Sequence, residues 1–290
     1  MDFIEIAVIG IDGEAAEAVG DLFNRYGHGG AVIEATAPDF EKVTVRTVVP
    51  GDDPDRLREI EVLLALMGQA LPHGLPEPRL QTIGETDWAE SWKEHFQVVR
   101  LGRQLVIKPS WRDYEPRAGD LVIEIDPGLA FGSGLHPTTQ LCLRILENLP
   151  LAGQRLFDVG TGSGILSLAA LKLGAAFGRA VDVDEVAVRV AEENFTSNGL
   201  ADRVETAVGS AGDYGLEPWP VVVANILAPV LIELMPQLAS ALATNGRLIL
   251  SGMLTDQEQA VTGAAQEQGL EVIDRATIED WVALVTTRKE

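Results

Sequence analysis

Three glycines at alternate positions, Gly160, Gly162 and Gly164, separate an apolar run, Arg155 to Val159, from a helix-like pattern of Ile165, Leu166, Leu168, Ala169 and Leu171. A chain that turns from strand into helix needs positive φ, and a ligand lying against backbone leaves no room for a Cβ. Twenty residues past Gly162, Asp182 closes the next apolar run. A carboxylate at that spacing can accept both hydroxyl hydrogens of a ribose. The combination reads as a cradle for a nucleoside cofactor touched by Gly160, Gly162 and Asp182; the plainer alternative is a tight turn that packs a helix on a strand. Asn225 follows the apolar run V-V-V-A at the end of a later strand. Its side-chain carbonyl can accept a hydrogen bond from a substrate amine there, or the residue simply opens the turn before a helix at Pro229.

The glycine spacing discriminates among cofactors. The dinucleotide fingerprint is G-x-G-x-x-G, whereas these glycines read G-x-G-x-G, without the offset used for pyrophosphate. The spacing resembles the first motif of class I methyltransferases that use S-adenosylmethionine. On that resemblance the loop amides and the helix N-terminus face a methionine carboxylate, and Asn225 directs an amine lone pair at the sulfonium methyl.

Upstream stands D-P-G-L-A-F-G-S-G-L-H-P-T-T-Q, Asp126 to Gln140, a glycine-rich loop that leads into a helix at Pro137 and can fold over a ligand. Phe131 packs either on adenine or near the cationic sulfur, unless it only anchors the loop. Thr139, in the first helical turn, either caps backbone or reaches the methionyl end of the ligand. His136, a histidine before proline, is assigned no chemistry, and Asp184 is expected to cap the helix that it precedes. After the third strand Ser210 is a candidate adenine contact, with Asp213 as its competitor.

These residues need elements to hold them. Residues 1–85 read as strand Phe3 to Ile9, helix Gly13 to Tyr26, strands Ala31 to Thr36 and Lys42 to Val48, helix Asp55 to Gln69 and an extended Arg79 to Gly84. That β-α-β-β-α-β order predicts an α+β, ferredoxin-like domain, which commonly presents a sheet face or edge to a partner. With 16 acids and 6 bases it carries a net charge of −10, which suits a docking domain. Residues 86–117 read as a linker helix and connecting segment, with Trp88, Trp92 and Phe96 on one aromatic face and six bases following or among them. From 118 to 290 strands alternate with helices, which predicts an α/β, Rossmann-like doubly wound sheet beginning at Leu121 to Ile125. The last two strands, Leu270 to Ala276 and Trp281 to Thr287, are separated only by T-I-E-D, too short for a crossover helix, so they must form an antiparallel C-terminal hairpin.

A chain of 290 residues is long enough for two cores. It has no apolar run of membrane-spanning length, and its start, M-D-F-I-E-I-A-V-I-G, lacks the basic flank of a signal peptide, so a cytoplasmic location is expected. The lone cysteine, Cys142, excludes a disulfide framework or a cysteine zinc site and is expected to be buried packing. With 22 bases against 44 acids, the net charge of −22 argues against a direct grip on nucleic acid and favours a basic protein or a small molecule as partner.

Assembled, these segments resemble the ribosomal protein L11 methyltransferases, bacterial enzymes that methylate a protein of the large ribosomal subunit. The carriers are D-P-G-L-A-F-G-S-G-L-H-P-T-T, D-V-G-T-G-S-G-I-L, V-D-V-D, A-N-I-L-A and the closing D-W-V-A-L-V. The resemblance implies S-adenosylmethionine as cofactor, with contacts at Thr139, Gly160, Asp182 and Asn225, and an N-terminal substrate-recognition domain. It implies methyl transfer to lysine and N-terminal amines, with Asn225 at the transfer point and neither a metal nor a dedicated general base. The family's loop usually has threonine where Ser133 and Leu135 stand. A methyltransferase of this fold acting on a small molecule or on nucleic-acid amines is the competing reading, although N-I-L-A lacks the aromatic that follows asparagine and proline in base and glutamine methylators.

Overall fold

The computed structural model describes residues 2–35, 43–71, 73–84, 97–126, 134, 136–214 and 217–289. The expected aromatic face of Trp88, Trp92 and Phe96, and the loop residues Phe131, Ser133 and Leu135, lie outside the described residues. The chain divides into two compact units, Met1–Phe96 with Pro127–Ala130, and Gln97–Asp126 with Phe131–Glu290.

In the first unit β1 (Asp2–Ile11), α1 (Gly13–Tyr26), β2 (His28–Ala35), β3 (Val43–Pro50), α2 (Pro54–Ala70) and β4 (Arg79–Gly84) follow one another. The four strands form an antiparallel sheet in the order β2-β3-β1-β4. Asp12 and Asp53 start the two helices by accepting the N–H groups of Ala15 and Arg56, donors that would otherwise have no partner within the helix. Alternation along β1 sends Ile6 and Val8 to one face, where they pack with Val19, Phe23, Ile60 and Leu64.

The second unit opens with a small sheet of β5 (Val99–Leu101), β6 (Leu105–Lys108) and β7 (Leu121–Glu124). The strand expected to begin the doubly wound sheet, Leu121 to Ile125, belongs here instead. It runs parallel to β6, its flanks fixed by Leu121 N–H on Gln104 and Ile125 N–H on Lys108, and it buries Ile123 and Ile125 with Leu105 and Ile107. An apolar alternation announces a strand but does not name its partner.

The large sheet is built from β8 (Arg155–Val159), β9 (Phe177–Asp182), β10 (Val204–Val208), β11 (Trp219–Asn225), β12 (Leu242–Leu254), β13 (Leu270–Ile278) and β14 (Trp281–Arg288). Its order is β10-β9-β8-β11-β12-β14-β13. The first five strands in that order are parallel, and β14 pairs antiparallel with both β12 and β13, as the short T-I-E-D spacer requires. Helices α3 (Pro137–Asn148), α4 (Ile165–Lys172), α5 (Glu185–Ser197), α6 (Ala211–Tyr214), α7 (Ala228–Ala241) and α8 (Glu258–Glu267) connect them. Both faces are covered, and so β11 reads V-V-V-A without polar interruption. Val221 and Val223 face Leu141, Leu168 and Phe195, while Val222 and Ala224 face Leu231, Met235 and Val261. The strand order reverses between β8 and β11, and the crevice at their carboxyl ends is where such sheets bind ligands.

Candidate active site

The glycine turn that joins β8 to α4 is held in place by backbone geometry. Gly160, Gly162 and Gly164 have φ of 72°, 54° and 80°, in the region where a side chain is strained. Gly160 and Thr161 both donate their N–H to the Val181 carbonyl, at 2.9 and 3.0 Å, so the turn is tied to the neighbouring strand β9. A Cβ on Gly160 would stand 2.3 Å from Cγ2 of Ile226, the residue that follows Asn225. At this position the glycine serves close packing between the two strand ends as well as any ligand.

Asp182 is the last residue of β9 and half-buried. Its Oδ2 accepts the N–H of Gly162 at 2.9 Å and its Oδ1 the N–H of Asp184 at 3.1 Å. The structure thus brings the two sequence-linked residues into direct contact, and the carboxylate shapes the turn itself. Asp184 caps α5 by accepting from Val186 at 2.8 Å, as its position in D-E-V-A implied. After β10, Asp213 Oδ2 accepts the Ser210 N–H at 2.9 Å, a capping contact that occupies this carboxylate.

Asn225 closes β11, and its side-chain N–H donates to Thr139 Oγ1 at 3.4 Å, joining residues that are 86 positions apart. Thr139 is fully buried. Thr139 is thus drawn to Asn225, whereas the helix cap is supplied by His136, whose Nδ1 accepts the Thr138 N–H at 3.3 Å and meets the Thr138 hydroxyl at 2.7 Å. Burial lowers the His136 pKa to about 4, which keeps the ring neutral as an acceptor; it also packs edge-on against Trp281. With its amide N–H turned to Thr139, Asn225 leaves Oδ1 buried and, among the described residues, without a partner. The strand end is fixed by Ile226, whose N–H bonds to the Ser251 carbonyl at 3.1 Å, and by Gly252 (φ 89°), where a Cβ would lie 2.4 Å from the Ile226 carbonyl oxygen.

Two residues that the sequence reading passed over belong to this framework. Gly252 is one. Asp158 is the other: fully buried within β8, it accepts the hydroxyls of Thr161 and Ser167 on Oδ2, both at 2.8 Å, and among the described residues its Oδ1 has no partner. Burial raises its pKa to about 6, against the lowering pull of the Ser167 and Thr161 hydrogen bonds and with a further push from the Asp182 charge. An aspartate inside the apolar run R-L-F-D-V was the available signal, since a buried carboxylate demands a reason. Cys142 is buried as expected, and burial pushes its thiol up to about 12, far from reactive.

The model of the ribosomal protein L11 methyltransferase (PrmA) family matches residues 2–289. The chain is 41% identical to a ribosomal protein L11 methyltransferase of Chloroflexus aurantiacus, covering 99% of this chain and 98% of that one. It is also 41% identical to the corresponding protein of Pelotomaculum thermopropionicum, with full coverage of both. Among solved structures, a ribosomal protein L11 methylase from Lactobacillus delbrueckii subsp. bulgaricus superposes with a TM-score of 0.64 at 37% identity, over 67% of this chain and 100% of that one. With residues 2–289 matched by the family model and relatives 41% identical over nearly the whole chain, the chain belongs to the ribosomal protein L11 methyltransferase family.

Proposed function

We propose that the chain transfers methyl groups from S-adenosylmethionine to lysine and N-terminal amines of ribosomal protein L11, with Asn225 at the transfer point. The observation that carries the reading is the buried, unpartnered Oδ1 of Asn225 at the carboxyl end of β11. A buried acceptor without a donor costs about 1–3 kcal/mol, and a substrate amine is the donor that relieves it.

The residues fit the cofactor. Each Asp182 oxygen that takes one backbone N–H keeps a further lone pair, so the carboxylate can accept the two ribose hydroxyls while it holds the turn. Val183, which follows it, and Val208, paired in register with Asp182, are exposed at the sheet edge and offer apolar walls to adenine. Gly160 and Gly162 let backbone approach the ligand, and Thr139 stands toward its methionyl side. S-adenosylmethionine, when bound, supplies a methyl already activated on a cationic sulfur.

The chain's own residues then position the amine. A lysine with pKa of ~10.4 must lose its proton, at a cost of about 4.6 kcal/mol at pH 7, from roughly 3.4 units at ~1.36 kcal/mol each. A carboxylate in place of Asn225 would hold the ammonium form, whereas a neutral amide accepts from the free amine without raising that cost. Fixed in-line geometry supplies much of the remaining rate.

The N-terminal unit, residues 1–85, reads as a ferredoxin-like domain that docks a basic ribosomal protein, supported by the order β2-β3-β1-β4 and a net charge of −10. The transferase reading of residues 118–290 takes in the rest of the second unit as well, since β5 and β6 share a sheet and a core with β7. The same acidity disfavours a grip on nucleic acid. Among the described residues no helix is long and apolar enough to cross a membrane, and a cytoplasmic location fits a ribosomal substrate. The test is incubation of the full chain with methyl-labelled S-adenosylmethionine and either ribosomal protein L11 or ribosomal RNA. Label is expected on the protein; label confined to RNA overturns the reading.

A further inference from the structure

Asp158 has no part in the mechanism above, yet it is a fully enclosed carboxyl group in the transferase unit. One oxygen, Oδ2, takes both Thr161, within the glycine turn, and Ser167, in the first turn of α4, each at 2.8 Å. Asp182, at the end of β9, holds the adjacent turn residue, Gly162, at 2.9 Å. The turn is therefore gripped by two carboxylates at consecutive residues. We propose that Asp158 is a positioning residue: ionised, it clamps the glycine turn to α4 in the shape that receives the cofactor, and cofactor binding is thereby coupled to loss of its proton.

The inference rests on the S-adenosylmethionine reading and extends it. A hydrogen bond to an ionised acceptor is roughly twice as strong as one to a neutral acceptor, so protonation slackens both arms of the clamp together. The ligand carries an ammonium and a sulfonium, and a buried negative charge beneath the turn favours it further. Opposing ionisation are burial and the charge of Asp182 from β9; the Cys142 thiol faces it from α3 and is itself hydrogen-bonded to Ser251. Among the described residues none of these facing groups is a cation, and burial, with a push from the Asp182 charge, raises the carboxyl to about 6 against the pull of its hydrogen bonds.

The test is calorimetry of the full chain with S-adenosylmethionine between pH 5 and pH 8. If only the ionised form binds well, affinity falls about tenfold on going from above pH 6 down to pH 5, one unit below the group's pKa. Asp158→Asn should bind with an affinity that does not change across the range. Thr161→Val removes one of the bonds that hold the pKa down, so its affinity should begin to fall at a higher pH than in the parent chain; this variant keeps the carboxylate and serves if Asp158→Asn does not fold. Affinity that binds tightly but stays flat from pH 5 to 8, or a Thr161→Val profile that does not move, overturns the clamp and leaves the cofactor assignment standing. No binding at any pH overturns both.

Discussion

Asp182 offers the most direct test, because the structure gives its carboxylate two duties that different substitutions separate. In the free protein it accepts Gly162 N–H at 2.9 Å, partly buried, and Asp184 N–H at 3.1 Å, exposed. A hydrogen bond to a charged acceptor contributes about 1.5–3 kcal/mol when shielded and less in water. Asp182→Ala should therefore cost about 2 kcal/mol of unfolding free energy, most of it from Gly162. The affinity loss should be larger: two ribose hydroxyls lose their acceptor and the turn loses its shape, at least ~3 kcal/mol, or more than hundredfold in Kd. Asp182→Asn keeps one oxygen for Gly162 but puts an NH2 toward the second donor, so it should recover about half of the stability while leaving most of the affinity missing. Thermal unfolding and calorimetry with S-adenosylmethionine measure the two quantities on the same samples. An Asp182→Ala protein that is folded and binds within threefold of the parent affinity refutes the ribose assignment.

Three further outcomes follow from the same geometry. Asn225→Ala should depress the rate of methyl transfer by tenfold or more while changing cofactor Kd much less; equal losses would make Asn225 a cofactor residue only. Gly252→Ala forces a Cβ to within 2.4 Å of the Ile226 carbonyl oxygen at a φ of 89°, and should destabilise the fold by about 2–4 kcal/mol in thermal or chemical unfolding. Unaltered stability would show that Ile226 and Asn225 are free to shift. Asp158 sets a pH dependence: its pKa is raised in the folded state, from 3.8 to about 6, so it favours folding at low pH and that contribution is lost as pH rises through about 6. Relative to the parent, Asp158→Asn should gain about 1 kcal/mol in unfolding free energy between pH 5 and pH 7, and a gap that stays constant would mean the carboxyl is not held protonated by burial.

The sequence carried the local instructions well and the pairings poorly. Glycines at alternate positions and a four-residue spacer act on covalently close residues, so their consequences follow from chain geometry: the turn at Gly160 to Gly164 and the antiparallel β13 and β14. The strand at Leu121 was legible as a strand, but its partner β6 is chosen by which apolar side chains cover Ile123, information spread over Leu101, Leu105 and Leu141. Thr139 was open between capping and ligand contact for the same reason. In the fold His136 takes the cap, and the Thr139 hydroxyl meets Asn225, 86 residues away. Asp158 went unread because an aspartate before glycines looks like part of the turn motif, and its burial shows only when α3 and α4 have closed over it.

The arrangement also explains where charge is tolerated in this crevice. Carboxylates stand by the glycine turn, where the proposed ligand is cationic and where the turn already supplies donors: Asp158 is fixed by the hydroxyls of Thr161 and Ser167, and Asp182 by the N–H of Gly162. At the end of β11, one strand away, the position is an amide whose spare oxygen is unpartnered and whose N–H is held by a threonine hydroxyl rather than by an ion. An aspartate there would attract the lysine ammonium and bind substrate more tightly, but in the form that has no lone pair to give. Asn225→Asp should accordingly leave KM for the protein substrate equal or lower while reducing kcat. Rate profiles measured toward high pH should show part of that loss recovered as the amine deprotonates, and a loss that is the same at every pH would mean that the charge of residue 225 does not act through the amine.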